Sequence, residues 1–64
     1  MQLEKWIEEE NKTQQEVAEA LGTTQGCVSR WCAGTAIPRP KMMTKIIDLT
    51  SGKVTANDFF EGNR

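Results

Sequence analysis

Apolar residues recur along this chain at helical spacing, and the polar residues between them mark where each helix starts and stops. Leu3, Trp6 and Ile7 fall at i, i+3 and i+4, the stripe of a first helix over residues 2–11. Glu4, Glu8, Glu9 and Glu10 take its other side. The acids at 8–10 stand where a helix macrodipole disfavours them, which predicts an end near Asn11. Thr13-Gln14-Gln15-Glu16 reads as a capping box, the Thr hydroxyl serving the N3 amide and the Glu reaching back to the cap amide. Val17, Ala18 and Leu21 then share one face, and Gly22 stops the helix. Thr24 is the N-cap of a third helix, with Val28 and Trp31 on its buried side and Gly34 at its end. Pro38 and Pro40 forbid a continuous helix, and Pro40 suits the first position of a fourth. Met43, Ile46 and Ile47 form that helix's stripe, with Met42 and Leu49 at the margins and Ser51-Gly52 closing it. Val54 reads as a short extended piece. Thr55-Ala56-Asn57-Asp58 caps a last turn carrying Phe59 and Phe60, and residues 61–64 are expected to fray.

The pattern predicts an all-α fold of four to five helices in one domain, residues 1–60 of a 64-residue chain. A chain of about 60 residues buries only roughly 60% of its unfolded surface, so neither a deep active site nor a small-molecule pocket is expected. The chain has no His, which removes catalytic triads, Cys-His dyads and most zinc sites. Ser29 has no base beside it and no acids converge, so no enzyme activity, metal or cofactor is expected. Cys27 and Cys32 would point about 140° apart on one helix, since each residue turns it about 100°. They read as two reduced thiols filling small gaps. No run of 18 apolar residues is present. The first residues lack the basic and apolar regions of a signal peptide, so a cytoplasmic location and no membrane partner are expected.

The informative segment is residues 14–34, two short helices joined at Gly22-Thr23-Thr24. That is the pattern of a helix-turn-helix, whose helices cross at about 90–120° over a 3–4-residue turn. Ala18 must be small where the helices cross, and Gly22 must allow a positive φ. A bulky residue at 18, or any Cβ at 22, is expected to open the crossing.

The string Gln-Gln-Glu-Val-Ala-Glu-Ala-Leu-Gly-Thr-Thr-Gln-Gly-Cys-Val-Ser-Arg-Trp-Cys-Ala-Gly, residues 14–34, resembles the Cro/repressor-type helix-turn-helix of phages and bacteria. The likeness runs on through Ile37-Pro38 and the fourth helix to Asp58-Phe59. It departs from the family's usual pattern at Thr23 and Gly26. The resemblance implies a lambda-repressor-like or Cro-like domain that binds double-stranded DNA operators, usually as a homodimer. It implies that Gln25, Gly26, Ser29 and Arg30 face the bases. Gln can pair bidentately with adenine and Arg with guanine, while Gly26 would let the helix approach closely. Gln14, Thr24, Arg39 and Lys41, with Lys45 beside them, would meet phosphates. Phe59 and Phe60 are adjacent and cannot both point inward. Phe59 is expected inside, leaving Phe60, with Val54 or Ile37, for a partner subunit. Trp31 shares the Val28 face and reads as core rather than as a base-stacking platform.

Net charge first argues against nucleic acid, for it is −1 over the whole chain. Its distribution reverses the argument. Residues 1–22 carry a net −4, residues 23–45 a net +4 without one acid, and residues 46–64 a net −1. The basic excess therefore coincides with the recognition helix and the segment after it. A different class of function, an antitoxin or adaptor-type module that docks a partner protein through the acidic first helix, would use the same fold.

Overall fold

A computed structural model describes residues 1–61 of the chain, with side chains through Phe60. Five helices follow one another: α1 (Leu3–Glu9), α2 (Gln14–Leu21), α3 (Gln25–Ala33), α4 (Pro40–Leu49) and α5 (Ala56–Glu61). No strand occurs among the described residues, and no helix among them is long and apolar enough to cross a membrane. The fold is all-α with five helices, as the pattern predicted, and agrees with the Cro-like domain that the resemblance implied.

Local chemistry sets each boundary. At the start of α2 the Thr13 hydroxyl accepts the Glu16 N–H at 3.1 Å, and the Glu16 carboxylate accepts the Thr13 N–H at 2.9 Å. Two orphan amides are thereby satisfied. Gly22 ends α2 at φ +74°, and the Thr23 N–H closes back onto the Ala18 carbonyl at 2.9 Å. Gly34 ends α3 at φ +80°, where the Thr35 N–H reaches the Arg30 carbonyl at 3.0 Å. A Cβ at Gly22 would meet only the Lys45 Nζ, 3.9 Å away. The glycine is therefore required by its backbone angle, not by crowding at the crossing, which corrects the steric part of the expectation. α1 stops at Glu9, with Asn11 turned to φ +55°, two residues earlier than its stripe suggested.

The core gathers Leu3, Trp6 and Ile7 from α1, Val17, Ala18 and Leu21 from α2, Val28 from α3 and Ile46 from α4, with Val54 and Phe59. α2 packs against both α3 and α4, and Ala18 is buried in the core, where a larger side chain would overpack it. Two expectations about the core fail. Ile47 is only half-buried, and Thr50 takes the core position four residues after Ile46. Val54 is fully buried, at 0% exposure, and so cannot offer its side chain to a partner subunit. The physical link between them is one hydroxyl. Thr50 Oγ1 donates to the Ile46 carbonyl at 2.9 Å and accepts the Val54 N–H at 3.1 Å, which draws Val54 over the core. α5 is anchored by Asp58, whose carboxylate accepts the Thr55 N–H at 2.9 Å and the Met1 ammonium at 2.9 Å. Phe59 consequently faces in and Phe60 out. Of the tail expected to fray, Glu61 closes α5, and residues 62–64 lie outside the described residues.

Candidate nucleic-acid interface

Helix α3 is held by its inner face and its two ends. Val28 is fully buried, Thr24 Oγ1 accepts the Cys27 N–H at 3.3 Å, and Gly34 closes the far end. At about 100° per residue, Gln25, Gly26, Ser29 and Arg30 then fall on one arc of the helix, turned away from Val28. All four are exposed. Gly26 has an ordinary negative φ, and a Cβ there would meet only Thr24 Oγ1, at 3.8 Å. Nothing inside the chain requires a glycine at that point.

The residues expected at phosphates divide. Gln14 opens α2, half-buried, directly after the Thr13 cap. Thr24 is exposed, and its hydroxyl oxygen caps α3 by accepting the Cys27 N–H. Arg39 is the N-cap residue of α4 and makes no side-chain cap bond, and Lys41 follows in the first turn, both exposed. Among the described residues the one ion pair is that of the Met1 ammonium with Asp58. Arg30, Arg39 and Lys41 thus point outward with no carboxylate to satisfy them. Lys45 differs. Its ammonium donates to the Leu21 carbonyl at 3.4 Å, so it serves the carboxyl end of α2, where a cation complements the helix dipole. The resemblance places it beside the phosphate contacts.

The two thiols diverge. Cys27 lies in the first turn of α3, its thiol held below the ordinary range by hydrogen bonds from the Thr24 and Thr23 hydroxyls, with Arg30 adding to the effect. Burial, with Glu4 nearby, pushes Cys32 up to about 11. Cys27 is therefore the more readily ionised of the two thiols. Trp31 packs on the core but is only half-buried, so the expectation of a plain core residue holds in part.

A second face lies on the far side of the α3–α4 connection. Ile37 is 40% exposed and Phe60 56% exposed, and both line a shallow groove of about 350 Å³ with Pro38, Pro40 and Met43. No charged side chain lines it. The pairing of Phe60 with Ile37 was legible in sequence, but the part played by the two prolines and Met43 was not.

A family model described as helix-turn-helix matches residues 3–52 of the chain. No curated protein and no solved structure matches it.

Proposed function

The chain belongs to the Cro/repressor-type helix-turn-helix family of DNA-binding regulators, and from that premise we propose that it is a small repressor of the phage Cro type. It acts in the cytoplasm and binds a pseudo-palindromic operator as a homodimer, through the major groove. In this reading Gln25, Ser29 and Arg30 read base edges, and Gly26 lets α3 approach closely. Gln14, Thr24, Arg39 and Lys41 hold phosphates.

The observation that carries the reading is the exposed, acid-free arc of α3 beside three unpaired cations. A groove walled by phosphates favours such a surface, because each neutralised phosphate releases counterions. A single module of this size covers only about 600–1,000 Å², and the whole-chain charge of −1 limits non-specific attraction. Both argue for a second subunit, for which the uncharged Ile37–Phe60 face is the natural contact. Half-sites would then lie about one helical turn, or roughly 34 Å, apart.

Two substitutions test these roles against a bound duplex by fluorescence anisotropy. Arg30→Ala should cost about 1–3 kcal/mol and relax selectivity at a single base pair. Lys41→Ala should weaken all sequences alike and reduce the salt slope by about 0.9. A competing reading has a partner protein docked on α1, where Glu4, Glu8, Glu9 and Glu10 are all exposed. Indifference of DNA binding to Arg30→Ala, with a partner that co-purifies and is lost on Glu8→Lys, would favour it.

A further inference from the structure

Met1 and α5 are clasped together. The Met1 ammonium donates to the Asp58 carboxylate at 2.9 Å and to the Lys53 carbonyl at 2.9 Å. Asp58 stands in the first turn of α5, and the same carboxylate oxygen accepts the Thr55 N–H at 2.9 Å and the Thr55 hydroxyl at 3.2 Å. One oxygen thus starts α5 and ties it to the lead-in of α1. The helix needs such a tie. Its six residues are too few to hold a helix in water unaided, and it meets the other helices sparsely. Phe59 is its one buried side chain among those described, while Ala56 and Phe60 line the uncharged groove shared with Ile37. Whatever loosens α5 therefore disturbs that face.

The clasp depends on the amine being free. A primary ammonium brings a positive charge and three N–H donors, enough for both acceptors. An acylated nitrogen is neutral and keeps a single N–H. It cannot form an ion pair with Asp58, and it cannot give each oxygen its own bond. We propose that the Met1 α-amine is a modification site: transfer of a short acyl group to it from an acyl thioester opens the clasp, loosens α5 and weakens the Phe60 face. In the transfer the nitrogen forms the new C–N amide bond and the thioester C–S bond breaks. Of the two protons the ammonium loses, one goes to water and the other to the departing thiolate. The clasped ammonium has no lone pair to attack with, so the reaction takes place on the open form, and its product keeps the clasp open. Only the last step, the effect on the Phe60 face, rests on the subunit contact proposed above.

The 64-residue chain is short enough for total synthesis, with a free amine or an Nα-acetyl group, each also carrying Asp58→Asn. Hydrogen exchange reads α5, and sedimentation equilibrium reads dimer formation. On acetylation the Phe59 and Phe60 amides should exchange about threefold to tenfold faster, the range set by an exposed ion pair and by hydrogen bonds to a charged group. The dimer dissociation constant should rise about threefold, because the face is complete only while α5 is docked. In Asp58→Asn, acetylation should have little further effect on either quantity. α5 amides that exchange alike in both forms, or an acetylation effect that persists undiminished in Asp58→Asn, would overturn the clasp. Faster exchange with an unaltered dimer constant would overturn the link to the Phe60 face alone. If neither form dimerises, the subunit reading fails and that link fails with it.

Discussion

Gly26→Ala separates what α3 needs in order to fold from what it needs in order to bind. The position lies in the first turn of α3, with a negative φ and room for a methyl group that would touch only Thr24 Oγ1 at 3.8 Å. Glycine in a helix interior costs about 1 kcal/mol relative to alanine. At a compatible site, replacing it stabilises by about 0.4–1 kcal/mol, chiefly by restricting the unfolded chain. A first-turn position belongs at the low end, about 0.5 kcal/mol. For a domain of this size that raises Tm by roughly 2–4 °C, since 1 kcal/mol corresponds to about 4–8 °C. On DNA the sign should reverse. The added methyl stands on the arc that faces the bases, so affinity for a selected duplex should fall by about tenfold, or 1.4 kcal/mol. Calorimetry and anisotropy on the same preparation read the two effects separately. A variant that is more stable and binds equally well would refute the idea that the glycine serves close approach. A variant that melts lower would refute the reading of the free helix.

Two further substitutions test the scaffold that aims α3. Thr50→Val keeps the shape but removes the acceptor of the buried Val54 N–H, and should cost about 1–3 kcal/mol in urea unfolding; an unchanged midpoint would show that the bond contributes nothing net. Asp58 should contribute an acid limb to stability. Burial alone would raise its pKa, but the Thr55 amide, the Met1 ammonium and the Thr55 hydroxyl together hold it below the ordinary value. The unfolded chain therefore binds the proton more readily. The stabilisation is present above the unfolded carboxylate range and is lost as pH falls through the folded value. Asp58→Asn should lower Tm at neutral pH and flatten its decline on acidification, and an unaltered acid limb would count against the anchor.

Much of this fold was readable because it is set locally. The Thr13–Glu16 box and the glycines at 22 and 34 act within one turn of themselves, so the bounds of α2 and α3 followed from a few residues. Phe59 inward and Phe60 outward followed from adjacency on one helical turn. The failures have a common cause in contacts distant along the chain or in polar groups used internally. The apolar stripe of α4 gives no sign of Thr50, which is buried because its hydroxyl is satisfied by the Ile46 carbonyl and the Val54 N–H. It then displaced Ile47 from the core and drew Val54 off the surface. Lys45 looked like one more cation of the basic segment, but it reaches Leu21, twenty-four residues away. The groove that Pro38, Pro40 and Met43 form with Ile37 and Phe60 depends on how the α3–α4 connection folds back, which no spacing along one helix reveals. The exposed arc of α3 was the most legible part of the site, since periodicity around a buried Val28 determines it.

The central claim is that α3 reads sequence in the major groove, one copy to each half of a symmetric site. Selection of bound duplexes from random sequence at low salt tests it most directly. The expected outcome is enrichment of a pseudo-palindrome whose half-site centres lie about 34 Å apart, with one base pair losing its preference in Arg30→Ala. Recovery of no sequence above the starting pool, from protein that is folded by circular dichroism, would contradict it.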